Sequence, residues 1–113
     1  MIAGDIVAAD FMQSDGSIKR RPAILLRAMP LYNDWLICGI SGSLNLEIQG
    51  FDILLLKGSN DFETSGLDYS GLIRLGFLST ISKERIIGVL GNVSPETYSL
   101  LINRLINHLK PKP

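Results

Sequence analysis

The stretch Pro22-Ala23-Ile24-Leu25-Leu26-Arg27 is continuously apolar through its centre, as a β-strand covered on both faces must be, and Lys19-Arg20-Arg21 sets three positive charges directly ahead of it. Proline cannot donate to a strand ladder, so Pro22 is expected near the start of this strand, with the cations fixed where it leaves a mobile loop. Upstream, Ile6 to Phe11 alternates imperfectly and reads as a first strand, and Met12-Gln13-Ser14-Asp15-Gly16-Ser17 reads as the turn between the two. Downstream, Trp35 to Ser41 is a third strand. Its alternation puts Trp35, Ile37, Gly39 and Ser41 on one face and Leu36, Cys38 and Ile40 on the other.

Further strands are expected at Phe51 to Leu56, Leu72 to Leu78 and Ile86 to Leu90. Lys57-Gly58-Ser59-Asn60 reads as a turn, Asp61 to Gly71 as a polar connection, and Ser82-Lys83-Glu84-Arg85 as a tight helical turn. Ser94-Pro95-Glu96 opens a helix, with serine as N-cap, proline at the first helical position and an acid facing the positive end of the dipole. Tyr98, Leu101, Ile102, Leu105 and Leu109 then fall at helical spacing as one apolar stripe. Five or six short strands with one terminal helix predict a mainly β fold: a small bent antiparallel sheet, forming an SH3-like, partly open barrel closed by the C-terminal helix.

The 113 residues suit one domain, residues 1–113. Hydrophobic residues make up 46% and charged residues only 19%, an oily composition that fits either a dense core or a subunit interface. Eleven basic and eleven acidic residues cancel, which argues against a broad duplex binder and leaves room for a compact site touching a few nucleotides. The single cysteine, Cys38, lies within an apolar strand pattern and reads as core; with one histidine, His108, on the terminal helix, there is no ligand set for a structural zinc and no Cys-His catalytic pair. No apolar run approaches the ~20 residues that cross a bilayer, so a soluble cytoplasmic protein is expected.

Two places could carry chemistry. Arg21, with Lys19 and Arg20 beside it, is a place to hold a phosphate, and the hydroxyls of Ser41 and Ser43 at the end of the third strand could meet the same phosphate if the strands pair. Gly39 leaves a bare patch two residues before Ser41, where a substrate backbone could lie or where a bulge interrupts the strand. Arg74 stands alone in an apolar strand, as an interface ion-pair partner or a snorkelling side chain.

In order and spacing the chain resembles the MazF/PemK family of bacterial toxins, endoribonucleases of type II toxin-antitoxin pairs. The resemblance is carried by Gly4-Asp5-Ile6-Val7, Asp15-Gly16-Ser17, Arg21-Pro22-Ala23, Ile40-Ser41, Ser70 before Leu72-Ile73, Thr80 to Ile86, and Gly91-Asn92-Val93-Ser94. It implies a bent barrel-like sheet of the MazF/CcdB type, a homodimer, a single-stranded RNA substrate, and a cognate antitoxin that lays an acidic, flexible segment across the RNA groove. It places the family's catalytic arginine on Arg21 and its catalytic threonine on Ser41. Lys19, Arg20, Ser17 and Ser43 then become candidate RNA-binding residues. Three positions depart from the family pattern: Ser17-Ile18-Lys19 replaces a loop Ser-Glu-Gln run, Ser43 replaces a glutamine, and Ser79 replaces an arginine near the end of the fifth strand.

Cleavage at the RNA's own 2′-hydroxyl needs no metal, no cofactor and no protein nucleophile, only proton transfers and compensation of charge on the pentacoordinate phosphate. Arg21 suits that charge and Ser41 adds a hydroxyl donor, while the general base has no assignment; Asp15 is the nearest loop carboxylate, but an acid in an Asp-Gly turn is usually structural. The rival readings are a non-enzymatic inhibitor like the CcdB toxins, which act through their last helical residues, and a decayed member that binds antitoxin or RNA without cutting. The nuclease reading requires Arg21 and Ser41 to share one wall of the molecule.

Overall fold

The computed structural model describes residues 1–112. Six strands, β1 (Asp5–Met12), β2 (Ile18–Ala28), β3 (Asp34–Ser41), β4 (Ile53–Leu55), β5 (Gly71–Ser82) and β6 (Ile86–Asn92), form one antiparallel sheet in the order β4-β5-β3-β2-β1-β6. β4 and β6 remain unjoined edges, so the sheet curls into a half-barrel with a C-terminal helix, α2 (Pro95–Leu109), as the alternation and the helix-start residues lead one to expect. Ser94 caps α2 by accepting from the Thr97 N–H at 3.1 Å. Register shifts interrupt the β1–β6, β2–β3 and β3–β5 pairings, and such bulges let a small sheet curl.

The curl makes two cores. On one face Ile24, Leu26, Cys38, Ile40, Ile73 and Leu75 pack with Leu101 and Leu105 of α2; on the other, Val7, Ala9, Ala23, Leu25, Ile37 and Ile81 form a second cluster against Trp35 and Ile86. This is why Pro22 to Leu26 reads as continuously apolar: alternate residues of β2 serve different cores. The stripe on α2 holds from Tyr98 to Leu105 but stops short of Leu109, which is 67% exposed. Tyr98 also donates its hydroxyl to the Leu26 carbonyl at 2.6 Å, tying helix to sheet.

Two local expectations change. The connection expected between Asp61 and Gly71 starts with a short helix, α1 (Asn60–Ser65), capped by Ser59 and ended by Gly66 in the left-handed region (φ 76°). Asp61 accepts from the Ser94 N–H at 2.8 Å and from the Thr97 hydroxyl at 2.5 Å, so α1 is pinned to the start of α2. Second, β2 begins at Ile18, so Lys19, Arg20 and Arg21 lie on a strand paired with β1 rather than in a mobile loop, and Pro22 is well inside that strand.

A proline tolerated in a central strand must have its missing donor somewhere harmless. The Ala8–Pro22 rung cannot exchange two hydrogen bonds, because proline has no N–H, so the Pro22 nitrogen and carbonyl face β3. On that side the ladder ends at Ala23–Gly39, one rung before Pro22 would meet Ile40. The proline thus falls where two central strands part.

Candidate functional site

The candidate site is the parting of β2 and β3. Arg21 and Pro22 form one lip and Ile40 and Ser41 the other, and these four residues line two adjoining cavities, of about 440 Å³ and about 240 Å³. Two residues back from Ala23 is Arg21 and two residues on from Gly39 is Ser41, so the antiparallel register sets the guanidinium and the hydroxyl across from one another on the same face. Arg21 is half-buried, its neighbours Lys19 and Arg20 exposed.

The Ser41 side chain is held by its own strand end: its Oγ accepts from the Ser43 N–H at 3.0 Å. The hydroxyl proton remains to be donated into the opening. Ser43 contributes that backbone contact and lines neither cavity, and Ser17 is likewise absent from both walls. The Ser17 hydroxyl is engaged at 2.6 Å with Asp15, whose carboxylate also accepts the Ser17 N–H at 2.9 Å; these bonds hold the Asp15 carboxyl below its ordinary range and make it part of the hairpin turn.

Lys19 and Arg20 reach the larger cavity. Arg20 is also paired across the hairpin with Asp10 at 3.1 Å, an exposed ion pair whose register match places it as much for the strand pair as for a ligand. Asp68 is the one carboxylate on the wall of the larger cavity, beside Tyr69 and Ser70 from the connection that follows α1. Nothing in the local sequence distinguishes Asp68 from the other acids; only the return of the chain after α1 brings it to the opening.

The smaller cavity holds what the sequence left ambiguous. Between the Cys38–Leu78 and Ile40–Ile73 rungs a single β3 residue, Gly39, faces four of β5, Arg74 to Phe77, so β5 bulges outward. Gly39 sits at the wall of this cavity under Phe77, where a Cβ would stand 2.8 Å from the ring, so the glycine is needed for the close approach of that side chain. Arg74 lines the same cavity as Arg21 and Ser41, its guanidinium 5.9 Å from the Phe77 centroid. Its isolation in an apolar strand was the sequence signal; the bulge that turns it toward the site was not readable.

Two groups lie elsewhere. Cys38 is fully buried in the first core, and burial, helped by the negative charge of Asp52, pushes its thiol up to about 12. His108 packs against Phe51, ring centroids 5.0 Å apart, and lines neither cavity. Among the described residues no three His, Cys, Asp or Glu side chains converge as metal ligands, and no helix is long and apolar enough to cross a membrane.

The family model of PemK-like, MazF-like toxins of type II toxin-antitoxin systems matches residues 2–109. The chain belongs to this family. The fold agrees: a mycobacterial endoribonuclease solved in complex with its cognate antitoxin superposes with a TM-score of 0.72 at 16% identity, covering 100% of this chain and 99% of that one. The Mycobacterium tuberculosis toxin MazF-mt6 superposes with a TM-score of 0.66 at 17% identity, covering 91% of this chain and 93% of that one. At such identities the likeness is one of fold. No curated protein matches the toxin in sequence.

Proposed function

We propose that the toxin is an endoribonuclease that cleaves single-stranded RNA at the opening between β2 and β3, using the substrate's own 2′-hydroxyl as nucleophile. The observation that carries this is the convergence of Arg21 and Ser41 on the walls of the same two cavities. A scissile phosphate seated between the lips receives two N–H donors from the Arg21 fork and one from Ser41, placed where negative charge grows as the phosphorus becomes pentacoordinate. The 2′-hydroxyl gives its proton to a base and attacks phosphorus, the bond to the 5′ oxygen breaks, and that oxygen leaves as a hydroxyl with a proton taken from water. The products are a 2′,3′-cyclic phosphate and a 5′-hydroxyl.

Asp68 is the carboxylate on that wall among the described residues, and it is the side chain there placed to take the first proton. Lys19 and Arg20 extend the positive lip along the RNA backbone. The same lip suits the acidic segment of a cognate antitoxin, consistent with the related endoribonuclease solved with its antitoxin. A homodimer is supported by the edge strand β6, whose Ile87, Val89 and Leu90 stay about half exposed on a sheet edge able to take a partner.

The test is incubation of the purified full-length protein with a long unstructured RNA in excess chelator. Discrete cuts ending in cyclic phosphate support the reading; RNA binding without cuts makes the protein a non-cleaving member of the family, and neither binding nor cutting leaves inhibition by protein contact.

A further inference from the structure

We infer that the β5 bulge is a base-reading pocket, in which Phe77 stacks one nucleobase next to the scissile phosphate and Arg74 hydrogen-bonds its edge, selecting guanine. This rests on the RNA-cleaving reading only for which phosphate lies beside it. The cavity of about 240 Å³ is smaller than the roughly 300–1,000 Å³ that accommodates a drug-sized ligand, which fits one base rather than a dinucleotide. It opens onto Arg21 and Ser41, so a base inside it belongs to a nucleotide flanking their phosphate.

Its walls have base-binding chemistry. Phe77 is 41% exposed, backed by Gly39 beneath and by Phe11 with ring centroids 6.1 Å apart, so a flat apolar surface is presented without a mobile side chain behind it. Base stacking on such a ring is sequence-tolerant, which means that discrimination has to come from a polar group at the rim. Arg74 is that group. Among the described residues no carboxylate pairs with it, and its guanidinium lies over the Phe77 ring, 5.9 Å from the centroid, so an entering base takes its place on the ring and moves the planar fork of donors to the rim. A fork with donors and no acceptor matches the adjacent O6 and N7 acceptors of guanine; adenine offers N7 next to an amino donor, the carbonyls of uracil flank an N–H, and the adjacent acceptors of cytosine, O2 and N3, lie on the edge beside the sugar, which makes the cytosine octamer the stringent control.

The probes are 2′-fluoro RNA octamers, which lack the attacking hydroxyl, with uridine throughout except for one central guanine, 7-deazaguanine, adenine or cytosine. The full-length protein is expected to bind the guanine octamer about tenfold more tightly than the others, including the one lacking only N7. Arg74→Ala should erase that preference, Arg74→Lys should keep part of it, and Phe77→Leu should weaken all octamers alike while holding the bulge packed. Equal binding of the four octamers, absence of saturable binding, or an unchanged guanine preference in Arg74→Ala overturns the assignment. So does a uniform loss across octamers in Arg74→Ala, which would make Arg74 a phosphate contact. Because these probes cannot be cut, a protein that reads guanine but leaves ordinary RNA intact keeps the pocket and loses the nuclease, and the reverse outcome does the opposite.

Discussion

Arg21 of β2 and Ser41 of β3 stand directly beyond the last rung that pairs their strands, on one face and across one opening. The guanidinium is half-buried and set by a strand that remains paired with β1 on its other side, where Ala9 is its partner. The ladder fixes the backbone from which the guanidinium reaches the opening, and a donor placed where charge develops acts in the transition state and not merely in binding. Arg21→Ala should therefore lower the single-turnover cleavage rate about 100- to 1,000-fold with the thermal midpoint little changed, because the side chain is not core. Arg21→Lys should recover only part of the rate, since a point charge cannot donate through a fork. Turnover by Arg21→Ala equal to the parent's would remove Arg21 from the mechanism.

Ser41 has two bonds to account for, one accepted from the Ser43 N–H and one to be donated. Ser41→Ala removes both and should cost about 100-fold in rate. Ser41→Thr keeps the hydroxyl and adds a β-branch suited to a strand, so its rate should equal or exceed that of the parent. If the threonine variant were as slow as the alanine one, the hydroxyl would not be the group that matters.

Asp68 shares the larger cavity with Arg21 and Ser41. Asp68→Asn keeps the shape and removes the proton acceptor, so it should lower the rate by roughly 100-fold or more at neutral pH while RNA affinity holds or rises, one negative charge having left the groove. Single-turnover rates set beside RNA binding check the role: a rate in Asp68→Asn equal to the parent's would assign the base elsewhere.

How far the chain could be read in advance follows from which contacts are local. The strand alternation put Leu36, Cys38 and Ile40 on one face and Trp35 and Ile37 on the other, and the two cores separate along that division. Ser94 as N-cap was readable because capping is settled within three residues. The reach of β2 back to Ile18 was not: Lys19 and Arg20 have no strand preference of their own and are strand residues because β1 pairs with them, Phe11 to Lys19 and Asp10 to Arg20. Helix α1 has local signals at its ends, the Ser59 cap and the left-handed Gly66, but only six residues between them, and its hold on the fold comes from Asp61 bonds to residues more than thirty positions away. Within the candidate site, motif order and strand ends point to Arg21 and Ser41, whereas Asp68, Arg74 and Phe77 reach the same cavities through a loop return and a bulge that have no local signature.

Pro22 keeps the lips apart, and this can be tested by giving the strand back its donor. In Pro22→Ala the new N–H faces β3 and can bond the Ile40 carbonyl, extending the ladder by a rung and narrowing the opening that Arg21 and Ser41 share. A hydrogen bond of about 1 kcal/mol offsets the roughly 0.4–1 kcal/mol lost as the unfolded chain gains freedom, so stability should stay nearly level. The rate should fall, and amide exchange should show residue 22 protected. A protected amide with undiminished cleavage would show that the width of the opening is not what the proline supplies.

Cys38 gives the alkaline prediction, and its sign follows from where the proton sits. Burial raises the folded-state thiol from its ordinary 9.0 to about 12, so between those values the folded chain keeps a proton that the unfolded chain has released. Stability present below pH 9 is then lost as pH rises toward 12, at up to about 1.4 kcal/mol per pH unit. Cys38→Ala should be less stable than the parent at pH 7 from the lost packing, by roughly 1 kcal/mol, yet should lose less stability over that alkaline window. Denaturant titrations at pH 7, 9 and 10.5 check this, with thiol labelling at pH 7 as a control expected to be slow in the folded protein. Parallel stability curves for parent and variant would mean that Cys38 ionises as freely in the folded chain as in the unfolded one, and that the first core admits water at β3.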